Sequence, residues 1–183
     1  MKKPKRLIII TGPSGVGKGT VVKNILKKDK NIWLSISATT RKPRKGEEHG
    51  KDYYFLTTKK FKEMIINEMF LEWAEFAGNF YGTPLNIIKE KIKNGYQVIL
   101  EIEVEGACQV KEKFPDTISI FLLPPNKKEL ESRIRNRGTD DEKSIKQRLK
   151  RADFEMISSK DFNYVLKNYE IDKTSDEILK IIS

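Results

Sequence analysis

The stretch IIITGPSGVGKGT, residues 8–20, constrains the fold more than any other part of the chain. An apolar run rich in β-branched residues, Leu7–Ile10, is typical of a buried strand. Three glycines follow, whose backbone reaches conformations that side chains forbid, and then comes Lys18. Apolar residues recur at helical spacing from Val21 to Leu26. A strand, a glycine loop spaced GxxxxGK and a helix start predict a phosphate-binding loop rather than an ordinary glycine turn.

One position of this loop departs from the general pattern. The residue after the lysine is normally Ser or Thr, whose hydroxyl helps to bind Mg²⁺, but here it is Gly19. Many nucleoside monophosphate kinases carry the same GKGT sequence, so the loop resembles that group of ATP-using enzymes. We therefore expect Mg²⁺ to be held by water, by phosphates or by another residue. The predicted ATP-binding residues of the loop are Gly12, Pro13, Ser14, Gly15, Val16, Gly17, Lys18, Gly19 and Thr20.

Length and composition predict one globular domain. The chain has 183 residues, of which 38% are hydrophobic, enough for a core. No apolar run approaches the roughly 20 residues that span a bilayer, so we expect no membrane partner. A single cysteine, Cys108, cannot form an internal disulfide, which favours a cytoplasmic location.

The net charge of +10 allows two interpretations. It is compatible with a nucleic-acid binder, or with a lysine-rich surface around a site for polyanionic small molecules. The lysines are scattered along the whole chain, and no RNA-binding motif or helix-turn-helix pattern accompanies them. The second interpretation is therefore favoured, with small-molecule substrates and no nucleic acid.

The order of elements predicts an α/β fold, a parallel sheet flanked by helices. Strand-like runs are Leu7–Ile10, Ile32–Ala38, Gln97–Val104, Ile118–Leu123 and Tyr164–Leu166. Helical patterns are Thr20–Lys28, Pro84–Lys93, Lys127–Arg137, Glu142–Ser158 and Ser175–Ile182. Residues 35–83, rich in aromatics, turns and short strands, predict an inserted mixed subdomain with a helix near Lys59–Asn67. The core is then 1–34 and 84–183, with a small mobile lid at about 136–148.

The insertion begins with a second candidate anion site. Arg41 and Arg44 stand three residues apart after a strand, and the proline between them disfavours a helix. Two guanidinium groups on one loop can fork onto a phosphate, and Tyr53 and Tyr81 can add phenol donors. A solvated basic turn is the alternative. The presence of a phosphate-binding loop favours an acceptor site.

Four longer motifs, SISATTRKPRKGE, GKDYYF, FLEWAEFAGNFYGT and RNRGTDDE, closely resemble the guanylate kinase family. The resemblance runs from Leu7 to the C-terminus and implies transfer of a phosphoryl group from ATP to GMP, with Mg²⁺, in purine nucleotide metabolism. It implies GMP-binding roles for Ser37, Arg41, Arg44, Tyr53, Glu72, Tyr81, Thr83 and Glu101. Catalytic cationic groups would be Lys18, Arg41, Arg133, Arg137 and Arg148. Asn168 would lie near the adenine of ATP.

The chemistry of guanine suits these roles. Guanine presents N1–H and N2–H₂ donors on one edge, and an ionised carboxylate such as that of Glu72 only accepts. Adenine offers an acceptor at N1, so a site of this kind discriminates against it. Without the resemblance, Glu72 reads as an exposed residue on an alternating strand. The GMP phosphate is already an anion, so the transfer needs no general base.

The stretch ILEIEVEG, residues 99–106, departs from the family, which usually has LDIDVQG. It predicts three carboxylates, Glu101, Glu103 and Glu105, on one face of a strand. By resemblance, Glu101 helps to read guanine and Glu103 lies near the metal and phosphates, while Glu105 replaces a glutamine.

Three alternatives remain open at this stage. Some scaffold proteins carry guanylate-kinase-like modules that bind peptides without catalysis, but those typically lose residues such as Lys18, Arg41 or Arg44, which are present here. A kinase for another nucleotide and a basic nucleic-acid protein are the others.

Overall fold

A computed structural model describes residues 7–76, 78–136 and 141–183. The strands are β1 (Leu7–Thr11), β2 (Ile32–Leu34), β3 (Ala38–Thr39), β4 (Tyr54–Phe55), β5 (Phe70–Phe76), β6 (Asn79–Pro84), β7 (Gln97–Glu101), β8 (Ile118–Leu123) and β9 (Tyr164–Lys167). The helices are α1 (Lys18–Lys28), α2 (Thr58–Ile66), α3 (Leu85–Lys93), α4 (Val104–Lys113), α5 (Lys127–Arg135), α6 (Glu142–Ile157) and α7 (Ile171–Ile182). No helix within these ranges is long and apolar enough to cross a membrane.

The main sheet has the strand order β2-β7-β1-β8-β9, and every pairing in it is parallel. Along β1, Ile8 and Ile10 point into one apolar layer and Leu7 and Ile9 into the other, because successive side chains alternate across a strand. Helices α1 and α7 cover the first layer, and α3 and α4 the second. Burial on both faces explains the continuous apolar run LIII, and the predicted α/β class is confirmed.

A second, mixed sheet lies between β2 and α3 in the sequence. Its order is β4-β3-β6-β5, with β3 and β4 parallel and the other pairs antiparallel. The ring of Phe61, on α2, stacks on Phe70 and Phe80 at centroid distances of 4.3 and 5.5 Å, which gives this sheet its own small core. These residues lie within the predicted insertion, 35–83, whose bounds stay a prediction. The predicted lid, 136–148, falls partly outside the described residues.

Two of the predicted strands are wrong in their bounds. The run Ile32–Ala38 is not one strand, because the chain leaves the main sheet after Leu34 and enters the second sheet at Ala38. The run Gln97–Val104 ends at Glu101, and α4 begins at Val104.

The helix α4 was missed because its start fits two periods. Residues Leu100, Ile102 and Val104 alternate like a strand, but Val104, Ala107 and Val110 also recur at helical spacing. Glu103 occupies the N-cap position of the helix, where its side chain makes no capping hydrogen bond. The three carboxylates therefore do not share a strand face: Glu101 ends β7, and Glu105 lies in the first turn of α4, where a negative charge is favourable.

Candidate active site

The glycine-rich loop lies at the carboxyl end of β1, where open α/β sheets bind ligands. Gly17 has φ 101° and immediately precedes α1, so the loop turns directly into the helix N-terminus. At Gly12, with φ 147°, a side chain would collide with the carbonyl of Leu122 on the neighbouring strand β8. The N–H of Thr20, in the first turn of α1, donates to the carbonyl of Gly17 at 3.2 Å, while the first N–H groups of an α-helix in general have no intrahelical partner and favour an anion.

Three side chains from outside the loop bind it. The guanidinium of Arg148 donates to Oγ of Ser14 at 2.6 Å, and Nη1 of Arg133 donates to the carbonyl of Val16 at 3.1 Å. The amide nitrogen of Asn168 donates to the same carbonyl at 2.8 Å. Arg133 lies on α5, Arg148 lies on α6, and Asn168 follows β9. Three residues predicted from the sequence as site residues therefore contact the predicted phosphate-binding loop. Arg137 lies outside the described residues.

Asn168 keeps one unused acceptor. Its Oδ1 atom is buried and has no hydrogen-bond partner among the described residues. A buried carbonyl oxygen without a partner is unfavourable, so this atom is a candidate acceptor for a ligand donor.

Gly19 lies close to Glu101. A Cβ atom at position 19 would stand 3.4 Å from Oε1 of Glu101, an ordinary van der Waals distance, so this carboxylate is a neighbour of the loop but does not by itself require a glycine there. Burial raises the pKa of Glu101, while the charges of Lys18 and Lys23 act in the opposite direction. Glu101 therefore stands beside the loop lysine at the carboxyl ends of β1 and β7, which pair in parallel.

The candidate acceptor site surrounds Arg41. Its guanidinium lies 5.4 Å from the ring centroid of Tyr53, and the rings of Tyr53 and Tyr81 are 6.2 Å apart. Ser37, half-buried, directly precedes β3. These predicted residues lie around β3, β4 and β6, which are adjacent in the second sheet.

Sequence reasoning missed Glu47, the partner of Arg41. Its two carboxylate oxygens accept from Nη1 and Nη2 at 3.0 and 2.9 Å, and one of them also accepts from the backbone N–H of Arg44 at 2.7 Å. The hydrogen bonds from Arg41 hold the pKa of Glu47 below its ordinary value. An acid six residues after the arginine was the available signal.

Glu72 and Thr83 are paired residues on β5 and β6. Thr83 donates its hydroxyl to Oε1 of Glu72 at 2.6 Å, and Glu72 is only 6% exposed. Burial raises the pKa of Glu72, and Thr83 and the charge of Lys113 lower it in part. The interpretation of Glu72 as an exposed strand residue is therefore wrong.

The residues present fit Mg²⁺ only together with a nucleotide. The described residues contain no cluster of three acidic, His or Cys side chains that could hold a metal alone. Glu103, whose side chain is 54% exposed, offers one carboxylate at the start of α4, 4.0 Å from Arg151. One carboxylate plus phosphate oxygens and water is a donor set that Mg²⁺ commonly accepts.

A parallel sheet with a phosphate-binding loop after β1 and a second sheet bearing a buried acid and a basic loop define a P-loop nucleotide-binding protein of the α/β class. A family model described as guanylate kinase matches residues 4–183. A guanylate kinase of Prochlorococcus marinus (strain MIT 9312) is 64% identical over 182 residues, covering 100% of this chain and 99% of that protein. The chain belongs to the guanylate kinase family.

More distant relatives agree. A guanylate kinase of Caldanaerobacter subterraneus subsp. tengcongensis is 46% identical over 182 residues, covering 100% of this chain and 88% of that protein. The crystal structure of guanylate kinase from Anaplasma phagocytophilum has a TM-score of 0.80 at 35% identity, and the match covers 99% of this chain and 86% of that one.

Proposed function

We propose that this chain transfers the γ-phosphoryl group of ATP to GMP, giving ADP and GDP. The observation that carries the proposal is the buried carboxylate of Glu72, held by the hydroxyl of Thr83. When ionised, this carboxylate accepts from the N1–H and N2–H₂ groups of guanine. Adenine places an acceptor at N1, so it would leave the carboxylate buried and unmatched.

The GMP phosphate binds at Arg41, with Arg44, Tyr53 and Tyr81 around it. Glu47 accepts from Nη1 and Nη2 of Arg41, so the guanidinium is oriented before the substrate arrives, and the phosphate would bind the Nε and Nη2 hydrogens that Glu47 leaves. Such orientation lowers the entropy lost when a phosphate binds. Ser37 and Glu101 are the remaining residues of the GMP-binding site in this proposal.

The phosphates of ATP bind the loop from Gly12 to Thr20, and Asn168 lies beside the adenine. Lys18, Arg133 and Arg148 are the cationic groups for the transferring phosphoryl group. Arg137, which lies outside the described residues, has the same proposed role. Their role is to neutralise charge and fix the two reacting oxygens in line. The GMP phosphate is already an anion, so no side chain has to remove a proton.

Glu103 would hold Mg²⁺ together with the phosphates and water, since Gly19 has no hydroxyl to offer. When bound, the ion neutralises charge on the phosphate oxygens. We place the enzyme in purine nucleotide metabolism in the cytoplasm, which the exposed free thiol of Cys108 supports.

The test is to incubate the purified chain with ATP and Mg²⁺ and one of GMP, dGMP, AMP, UMP or TMP, and to identify the diphosphates formed. ADP and GDP in equal amounts with GMP, and slow or absent reaction with AMP, UMP and TMP, are expected. Equal rates with GMP and AMP would contradict the proposal.

A further inference from the structure

Strand β5, which carries Glu72, is an edge strand of the second sheet. An edge strand leaves alternate backbone N–H and C=O groups without a neighbouring strand. In an antiparallel pair both groups of a residue point to the same side. The two backbone groups of Trp73, the residue after Glu72, bind no strand but a side chain of α4.

That side chain is Gln109. Its Oε1 atom accepts from the N–H of Trp73 at 3.2 Å, and its Nε2 atom donates to the carbonyl of Trp73 at 2.9 Å. A side-chain amide carries the same donor and acceptor as a peptide group. Gln109 therefore replaces the missing strand at the position next to Glu72.

Helix α4 also holds the residue before Glu72. The pairing of β5 with β6 is irregular between Phe70 and Glu72. The ammonium group of Lys113 donates to the carbonyl of Leu71 at 2.9 Å. The backbone is thus fixed by α4 on both sides of Glu72.

The carboxylate itself lies against the same helix. A Cβ atom on Gly106 would stand 2.7 Å from Oε2 of Glu72 and 3.1 Å from its Cδ. Such a contact forces a shift, and Glu72 has little freedom because Thr83 holds its other oxygen. Residues 106, 109 and 113 are spaced i, i+3 and i+7, so they share one face of α4.

We propose that Gln109 and Gly106 are positioning residues that set guanine selectivity, Gln109 by fixing the β5 backbone and Gly106 by leaving room for the Glu72 carboxylate. The inference rests on the proposed function, since it assumes that Glu72 contacts guanine. In this proposal both residues act through strand β5 and Glu72, and neither is assigned a contact with a substrate. A shift of about 1 Å at a group that recognises the substrate is enough to lower kcat/KM markedly.

The experiment compares Gln109→Met and Gly106→Ala with the native chain. Methionine has a similar length but neither hydrogen-bonding group. Substrates are GMP and inosine monophosphate, which keeps N1–H but lacks the 2-amino group. The control is Gln97→Met, which removes a buried hydrogen bond of the same kind, to the carbonyl of Ile182 at 2.7 Å, in β7.

In both α4 variants the KM for GMP rises by about tenfold, the KM for ATP and kcat stay within about twofold, and the GMP to inosine monophosphate ratio of kcat/KM falls. Gln97→Met lowers the melting temperature without changing that ratio. Gly106→Ala lies in a helix, where Ala is preferred over Gly, so it decides the question if Gln109→Met does not fold. Adding either change to Glu72→Gln has no further effect on the ratio.

An unchanged ratio in both α4 variants, with a collapsed ratio in Glu72→Gln, overturns this inference and leaves the proposed function standing. A native enzyme with no preference for GMP, or an unchanged ratio in Glu72→Gln, overturns the guanine contact of Glu72 and the inference with it.

Discussion

The hydroxyl of Thr83 donates to Oε1 of Glu72 across 2.6 Å, between two residues that pair directly on adjacent strands. This bond leaves Oε2 of the carboxylate against Gly106. A buried acid with one oxygen already satisfied presents a restricted acceptor surface, which is suited to one edge of one base. The cost of keeping it ionised should be measurable without any substrate.

Glu72→Gln is expected to raise the melting temperature of the substrate-free protein at pH 7–8. The folded-state pKa of Glu72 is raised, so its contribution to stability is present below the unfolded pKa of about 4.3 and is lost as pH rises through the folded value. The gain from Glu72→Gln should therefore shrink as pH is lowered toward that unfolded value. The measurement is the melting temperature of Glu72→Gln and of the native chain at several pH values from 8 down to about 4.3.

The matched control is Glu75→Gln, an exposed acid on the same strand, which should leave the melting temperature unchanged. A lower melting temperature for Glu72→Gln than for the native chain at pH 8 would contradict the interpretation that burial makes the ionised carboxylate of Glu72 unfavourable.

Lys18→Met should lower kcat by about a hundredfold or more, because a positioned charge at the transferring phosphoryl is lost. Methionine keeps most of the apolar stem but removes the hydrogen bond from Nζ of Lys18 to the carbonyl of Gly12, so the melting temperature should fall by only about a few degrees. Lys27→Met, an exposed lysine in the last turn of the same helix, is the control in the coupled ADP assay. Near-normal turnover in Lys18→Met would remove this lysine from the mechanism.

Arg41→Ala should raise the KM for GMP by about one to two decades, the loss expected for charge-assisted hydrogen bonds, with little change in the KM for ATP. Arg41→Lys should restore only part of the affinity, since an ammonium cannot fork onto a phosphate. Arg135→Ala, which breaks an exposed bidentate pair with Glu142, tests whether losing any arginine has this effect. A rise in the KM for ATP alone would show that Arg41 belongs to the ATP site and not to the acceptor site.

Glu103→Gln should raise the Mg²⁺ concentration needed for half-maximal rate by about tenfold, with GMP binding nearly unchanged. Glu105→Gln should have almost no effect, since Glu105 lies in the first turn of α4 at a position where the family usually has glutamine. The measurement is a Mg²⁺ titration of the initial rate for both variants. A larger effect at Glu105 than at Glu103 would show that the metal lies elsewhere.

The parts that were predictable from sequence are those fixed by local pattern. The loop around Lys18 follows from its spacing. The strand β8 was placed at its observed bounds because ISIFLL is a short run with five apolar residues out of six, too short for a typical helix. The helix α4 was not predicted, because residues 100–104 alternate like a strand although Val104, Ala107 and Val110 recur at helical spacing.

The contacts between residues far apart in the chain could not be predicted from the sequence either. Glu72 and Thr83 are eleven residues apart in sequence, and their pairing depends on the register of β5 with β6. The hydrogen bonds of Gln109 join it to Trp73, 36 residues earlier in the chain, and depend on α4 packing against the edge strand. Glu47 was missed because nothing in the local sequence distinguishes it from the adjacent Glu48. Such contacts follow from tertiary packing, not from propensity.

The most direct test of the central claim is the ratio of kcat/KM for GMP over AMP, measured for the native chain and for Glu72→Gln under identical conditions. We predict a large preference for GMP in the native chain and a fall of about one to two decades in the variant, mainly through loss of GMP activity. An unchanged ratio would contradict the claim that the Glu72 carboxylate recognises guanine.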